Sequence, residues 1–468
     1  MLLYIRLAIV SFLSLFCSCQ QDSNRQRASS EIELRTDLPA LSDALQRKQD
    51  YYKLVFLKDG FPGKLISVDS VFPHPIYGSY VLLDYLKQYE FAPNDSLYNA
   101  LNIVAKAAIN RMDTLEDGLV FWYPKGDYVS KAFKPHISGL TQSYYLNAFQ
   151  RLYQVTGDSL YERTALKIFK SLLIPKDKHG VFHEWSGGIA FEELPETPNS
   201  FILNGWLSIL YNIKTYADAS GNLTADSIFQ LSLESLGKLL PKYDNPELSN
   251  SRYALSGFEY FKLINASDGR VEVEKPCLFI PNEGSTSLPI ADPDTANRWT
   301  SYAFGSNSQA LNIGPGKYTK FNLVLSRISY PDLNELQFSL KAEQSGKLII
   351  QAYYGNYSPR STSFVNAEWV NFDTINIRSG LNKIRISIPW TIADLIAYPT
   401  SFSKKFGNDY YNVYHFVHID RLNQLSQYSD NPNFQLYLNK WNLYVEKWPN
   451  MPLYQNVMTH RAFQPKLD

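Results

Sequence analysis

The residues best suited to proton transfer lie in one short block, Phe191-Glu192-Glu193-Leu194-Pro195-Glu196-Thr197-Pro198-Asn199-Ser200-Phe201-Ile202-Leu203-Asn204-Gly205-Trp206, where three carboxylates precede an expected helix start. Carboxylates serve as general acids or bases once their surroundings tune them. A helix N-terminus favours acidic side chains, which accounts for one or two of these but does not require three. A second grouping, His415-Phe416-Val417-His418, sets two imidazoles three residues apart on one face of a helix, where either can carry a charge or a proton. His179 and His183 are similarly spaced, with Gly180 between them favouring a loop. A metal needs more ligands than either pair supplies, and three cysteines exclude a cysteine-rich zinc site, so neither metal nor cofactor is expected. The chain has no P-loop, no G-x-G-x-x-G fingerprint, no G-x-S-x-G elbow and no H-E-x-x-H.

The elements that must position these residues show in the apolar spacing. From about residue 77 to 264 it is helical. Leu97, Leu101, Val104, Ala108, Ile109 and Met112 form one stripe after Asp95-Ser96, and Tyr161, Ala165, Ile168, Phe169 and Leu172 another after Asp158-Ser159. A third helix is expected from the capping pair Thr197-Pro198, and a fourth from Ala225 to Leu240. After about Asn265 the rhythm turns to strands, as in Leu336–Ala342, Lys347–Tyr353 and Asn382–Ile388, and helical spacing returns in 415–428 and 434–444. The expected fold is α+β and multidomain: a helical α/α barrel, an incomplete toroid, interrupted by an antiparallel β-sandwich. The expected divisions are 1–19, 20–60, 61–264, 265–405 and 406–468. Tyr353, Tyr354, Tyr357 and Trp369 are candidates for stacking on sugar faces from the sandwich, with core packing the commoner role.

Four blocks in the same order resemble the D-glucuronyl C5-epimerase C-terminal domain family. The block at 191–206 is similar to that family's E-E-Y-P-x-T-P-x-S-F-V-L-N-G. Lys134-Pro135-His136-Ile137-Ser138-Gly139-Leu140-Thr141-Gln142 looks like its segment ending S-A-M-A-Q, and Leu236 to Asp244 followed by Arg252-Tyr253-Ala254-Leu255 like L-P-x-Y-D and Y-D-L-R. Tyr414-His415-Phe416-Val417-His418-Ile419-Asp420-Arg421-Leu422 resembles Y-H-T-T-H-I-N-Q-L. The resemblance implies a helical barrel that binds an acidic polysaccharide and inverts C5 of its hexuronic acid units, using tyrosines, a glutamate and an arginine. Carried over, Glu193 matches the glutamate, Tyr253 the tyrosine of Y-D-L-R and Tyr414 the tyrosine before H-x-x-H. Gln142, Arg252, His415 and His418 are the expected substrate-binding residues. Two positions depart from the pattern: Leu194 replaces a tyrosine and cannot exchange a proton, and Ser256 replaces the arginine. Arg252 is a candidate for the missing cation, although neighbouring residues usually point different ways.

Lys+Arg and Asp+Glu are 45 each, which argues against a nucleic-acid partner. Arg6 followed by the apolar run Leu7 to Phe16 reads as an export signal too short to span a bilayer. Cys19 after Cys17-Ser18 resembles a lipobox, simple secretion being the alternative. The expectation is a lipoprotein anchored through Cys19 in the envelope of a Gram-negative bacterium, with polar residues 20–30 as tether. Cys277 is left without an internal partner. Three functions stay open: an epimerase, a lyase-like enzyme sharing abstraction of the C5 proton, and a non-catalytic polysaccharide-binding lipoprotein. Oligomeric state is not legible in the sequence.

Overall fold

The elements follow the local signals closely wherever caps and stripes agree. The computed structural model describes residues 32–124, 135–195, 198–281, 283–287, 310–360, 364–393 and 399–462, which fall into two units divided after Asn110. The export signal, Cys19 and the tether lie outside the described residues, as do Lys134, Glu196 and Thr197.

In the first unit, β1 (Leu34–Arg35), α1 (Asp43–Tyr52), β2 (Leu54–Leu57), β3 (Pro62–Ser67) and β4 (Ser70–Phe72) precede α2 (Pro75–Phe91) and α3 (Asp95–Ile109). The strands form an antiparallel sheet in sequence order, and α2 packs on α3. The Asn94 side chain caps α3 by accepting the Leu97 N–H at 2.9 Å. Leu97, Leu101, Val104 and Ala108 are buried as the stripe implies, while Ile109 and Met112, at and beyond the helix end, are half-buried.

The second unit opens its helical part with α4 (Gly139–Thr156) and α5 (Ser159–Leu172), the latter capped by Asp158, which accepts the Leu160 N–H. Gly157, at φ +68°, takes the left-handed bend between them. A hairpin of β5 (Phe182–Trp185) and β6 (Gly188–Phe191) leads to α6 (Leu203–Ser220) and α7 (Leu223–Leu239). The helix expected from Thr197-Pro198 starts instead at Leu203. The amides of Ser200 and Phe201 bond to the Glu192 carboxylate, so this stretch is a turn tied to a side chain rather than helix.

Strands then begin at Ser256, ahead of the expected 265. They are β7 (Ser256–Asn265), β8 (Val271–Ile280), β9 (Gly284–Ser287), β10 (Leu311–Ile313), β11 (Tyr318–Ser326), β12 (Asn334–Ala342), β13 (Gly346–Tyr357), β14 (Phe364–Ile377) and β15 (Gly380–Ile388). One antiparallel sheet runs β11-β7-β13-β14 and the other β9-β8-β12-β15, with β10 also on β8. Phe261, Leu263, Val273, Leu340, Ile350 and Ile386 belong to one buried apolar cluster between them, the β-sandwich that strict alternation in β12 predicts. The chain returns through the hairpin β16 (Lys404–Phe406) and β17 (Asp409–Tyr411) to α8 (Val413–Ser426) and α9 (Pro432–Lys447). Helix α4 packs on α5 and α6, α6 on α7 and α8, and α9 on α7 and α8; among the described residues the helices do not form a closed barrel.

The segment after α7 ties the helices on either side of the sandwich together. The buried Asp244 carboxylate accepts from Lys440 Nζ (2.5 Å), Trp441 Nε1 (3.2 Å) and the Tyr444 hydroxyl (3.1 Å), all on α9. Removing the carboxylate leaves the indole and phenol donors unpaired in the interior, at roughly 1–3 kcal/mol each. Asp244→Ala is expected to lower unfolding stability by about 2–4 kcal/mol. Urea titration checks this, and a loss below about 0.5 kcal/mol, the scale of an ordinary surface substitution, would contradict it.

Candidate active site

The turn before α6 is organised by Glu192. Its fully buried carboxylate accepts the Ser200 N–H (3.0 Å), the Ser200 hydroxyl (2.9 Å) and the Phe201 N–H (3.1 Å), with Lys176 Nζ 3.9 Å away. Burial pushes Glu192 above the usual carboxylate range, while the lysine and these donors oppose the rise. The turn holds Phe201 at φ +43°, a left-handed conformation uncommon for a bulky residue, and the Tyr243 hydroxyl donates to the Phe201 carbonyl at 2.6 Å. The Leu203 N–H, an orphan donor of the first helical turn, reaches the Tyr253 carbonyl at 2.8 Å, and the Leu255 N–H reaches the Ser200 carbonyl at 2.9 Å. One turn therefore sets both the start of α6 and the course of the chain at Tyr253.

Glu193 lies against α6 because residue 205 is glycine. A Cβ there would stand 2.3 Å from Glu193 Oε2 and 2.7 Å from its Cβ. Asn204 Nδ2 approaches Oε2 at 3.5 Å. Burial pushes Glu193 up to about 7, and the adjacent Glu192 adds to the rise. Burial also holds the Tyr253 phenol well above its ordinary range, reinforced by Glu193 and by a hydrogen bond with Tyr414. The rings of Tyr253 and Tyr414 meet edge to face, centroids 4.7 Å apart at 65°. Lys404, on β16, places Nζ 5.2 Å from the centre of the Tyr414 ring. Tyr253, Tyr414 and Lys404, with Ser200, Ser256 and Thr400, help line a cleft of about 270 Å³. Glu193 is not on its wall; it stands behind Tyr253.

Tyr414 is held by a polar seam joining three distant stretches. Asn412 caps α8 by accepting the His415 N–H at 3.1 Å, and its amide donates to Thr400 Oγ1 (3.0 Å) and Asn250 Oδ1 (3.3 Å). The Thr400 hydroxyl donates to the Asn250 side chain, and the Thr400 N–H to the Ser251 carbonyl at 2.8 Å.

Glu193, Tyr253 and Tyr414 thus converge, whereas the four expected substrate-binding residues serve the scaffold. Gln142 is fully buried: Oε1 accepts the Phe121 N–H (3.0 Å), and Nε2 donates to the Leu119 carbonyl (2.7 Å) and Ser171 Oγ (2.8 Å). It joins α4 to α5 and does not face the cleft. Arg252 is 1% exposed, turns toward the Asp244 carbonyl (3.3 Å), and is therefore not the missing cation. His415 and His418 are fully buried. The Ser251 N–H reaches His415 Nδ1 at 3.2 Å, which makes that nitrogen an acceptor, and His415 Nε2 donates to the Trp441 carbonyl at 3.1 Å. The Ser251 hydroxyl lies 2.8 Å from Nδ1 of both rings, so it donates to His415 and accepts from His418. Burial lowers His415 to about 4 and His418 well below its ordinary value, so both are neutral clasps rather than charge carriers. Lys404 was not legible as a site residue. The Gly407-Asn408 turn signals its hairpin, but nothing in the spacing says which of Lys404 and Lys405 faces inward.

Residues 117–268 match the family described as D-glucuronyl C5-epimerase C-terminus. This bears out the resemblance over the stretch that holds the first three motif blocks; the block at Tyr414 lies beyond it. A D-glucuronyl C5-epimerase of Caenorhabditis elegans is 26% identical over 184 residues, which are 37% of this chain and 29% of that relative. The chain therefore spans less than a third of that relative's length. Among solved structures, a GH76 alpha-mannanase of Bacteroides thetaiotaomicron gives a TM-score of 0.30 at 14% identity, covering 42% of this chain and 48% of that one. A sugar epimerase from a ruminal bacterium gives 0.27 at 14%, covering 38% and 46%. The unsaturated glucuronyl hydrolase of Bacillus sp. GL1 gives 0.27 at 17%, covering 38% and 48%.

The raised Glu193 carboxyl has a thermodynamic signature. Its folded value of about 7 exceeds the ordinary 4.5, so the stability it contributes is fully present below about pH 4.5 and is lost as pH rises through about 7. Glu193→Gln cannot lose a proton, so the variant is expected to gain stability relative to the native chain across that window. Urea midpoints from pH 4 to 8 measure the difference; parallel curves would contradict the assignment.

Proposed function

We propose that this chain is a glycan-active enzyme of the epimerase type, which removes and returns the C5 proton of hexuronic acid units in an acidic polysaccharide. The observation that carries this reading is the edge contact of Tyr253 with Tyr414 at the cleft, with Glu193 behind the first and Lys404 over the second. The matched family supports it. On this reading the helical part is an open member of the α/α-barrel class.

The chemistry follows from what each group can do. Abstracting the proton beside a carboxylate places negative charge on that carboxylate, so a cation must lie close by. The family's arginine is replaced by Ser256, which lines the cleft, and Lys404 enters the same cleft from a different element. Tyr253, held neutral, is a proton donor. Glu193, half ionised near neutrality, is placed to take the C5 proton through the Tyr253 hydroxyl; for inversion the Tyr414 phenol returns a proton to the opposite ring face, and the hydrogen bond between the phenols lets the proton held at Glu193 restore Tyr414 through Tyr253. Leu194 then needs no proton-transfer role, because the contact of Tyr253 and Tyr414 supplies two phenols without it. A lyase is the second reading: the phenols touch each other, and exchange from one side is the first half of β-elimination.

The protein incubated with glucuronate-bearing polymer in heavy water is expected to place deuterium at C5, read by NMR, with iduronate appearing. Tyr253→Phe and Tyr414→Phe should each slow incorporation by about 10²-fold or more, the usual worth of a positioned acid or base. Exchange should rise with pH through about 7 as Glu193 ionises. An unsaturated uronate product would establish the lyase instead; absence of both products on several uronans, or full activity of Tyr414→Phe, would remove the catalytic reading.

The same proposal sets the enzyme on the cell envelope through a lipid on Cys19. Among the described residues no helix is long and apolar enough to cross a membrane. Labelled palmitate should be incorporated by the full chain in a Gram-negative host and lost in Cys19→Ala; equal labelling of the two would dismiss the anchor.

A further inference from the structure

The cleft is small for a polymer, since its roughly 270 Å³ falls below the usual range of about 300–1,000 Å³ for ligand pockets. The rest of a bound chain must lie on neighbouring surface. One wall of the cleft includes Val324 on β11 and Ser256 on β7, and both strands continue outward into the sandwich.

Along that continuation the outer face of sheet β11-β7-β13-β14 carries an unusual group. Lys262 on β7 stands directly opposite Lys320 on β11. Both point away from the core, because they alternate with the buried Phe261, Leu263 and Phe321. Like charges directly opposite on neighbouring strands are destabilising. Among the described residues the influences on Lys262 are burial and Lys320, both of which lower its affinity for a proton. Aromatic rings surround the pair. Lys262 Nζ lies 4.2 Å from the centre of the Trp369 ring and 5.1 Å from that of Tyr318, and Lys320 Nζ lies 5.6 Å from each. Trp369 is backed by Tyr353, its cross-strand partner, with ring centres 5.2 Å apart. Contact with ring faces holds the ammonium groups in place without neutralising them. Tyr318 is 51% exposed and offers a flat apolar surface. Val324 and Lys320 are on the same face of β11, four residues apart, or about 13 Å at the strand rise of about 3.3 Å per residue.

We propose that this face is an accessory subsite for the acidic polysaccharide, in which Lys262 and Lys320 take uronate carboxylates and Tyr318 stacks on a pyranose ring of the chain whose reacting unit occupies the cleft. Charge complementarity selects the occupant: two ammonium groups facing each other across the strands, with no carboxylate between them among the described residues, suit a polyanion and do nothing for a neutral glucan. The proposal rests on the reading of the cleft as a uronate site, and extends it from one unit to the polymer.

Affinity electrophoresis of the full chain through gels containing glucuronate-bearing polymer or neutral glucan tests it. The native protein should be retarded by the uronan, less so as salt rises, and not by the glucan. Lys262→Gln with Lys320→Gln should weaken retardation at least fivefold, and Tyr318→Ala should weaken it separately, with thermal midpoints near the native value showing both folded. Retardation of the double variant equal to native, equal retardation by neutral glucan, or none of the native protein by uronan would each overturn the subsite. Lysine-dependent retardation without C5 exchange would leave the subsite standing while removing the enzymatic reading. Exchange with unchanged retardation of the variants would do the reverse.

Discussion

A carboxylate sealed away from water must be matched by donors, and at Glu192 this constraint shapes the site. Three hydrogen bonds from Ser200 and Phe201 answer it, and in doing so they bend the chain before α6 into a turn that holds Phe201 in a left-handed conformation. Much else depends on that turn. It delays the helix to Leu203, whose N–H then fixes the Tyr253 carbonyl, and it leaves Glu193 facing Gly205, the residue whose missing Cβ makes room for a second carboxyl. The two acids do different work because of their partners. Glu192 has its charge met by backbone, hydroxyl and lysine, whereas Glu193 has one long contact from Asn204 and a like-charged neighbour.

The sandwich contributes to the site although its core is remote from the phenols. It is entered just after Tyr253, and the chain that leaves it at Ile388 comes back to the cleft at Pro399, Thr400 and Lys404. The seam of Asn250, Thr400 and Asn412 stitches the chain ahead of the sandwich and the chain after it to the start of α8. Tyr253 and Tyr414 are far apart in sequence, and the turn before α6 and the seam at α8 hold them in ring contact. Asp244 performs the corresponding task for α9, and the Ser251 hydroxyl, between two neutral imidazoles, does so for α8.

The fold was legible where a local signal suffices. The Asp158 cap with its apolar stripe and the alternation of β12 each answer to physics within one element. The Thr197-Pro198 start was misread because a side chain distant from the helix claimed the amides that a helix would have used. Motif resemblance singled out Glu193, Tyr253 and Tyr414, which the structure brings together, but it could not tell which way each side chain turns. Gln142, Arg252, His415 and His418 sit in the same blocks, and each turns its polar atoms inward to backbone and hydroxyl partners, a matter of side-chain direction that spacing does not encode. Lys404 was invisible for the opposite reason: it lies in no motif, and its place over Tyr414 depends on which face of the hairpin β16–β17 turns inward. The lysine pair at 262 and 320 needed strand register before the two charges could be seen to face each other.

The central claim is that Tyr253, Tyr414, Glu193 and Lys404 form one site for a sugar acid. The most direct measurement is a crystal structure of the Tyr414→Phe chain with a glucuronate-containing oligosaccharide. The account predicts a uronate ring in the cleft, its carboxylate beside Lys404 Nζ and its C5 within reach of the Tyr253 hydroxyl. An oligosaccharide bound elsewhere with the cleft vacant, or a ring whose carboxylate points away from Lys404, would contradict it.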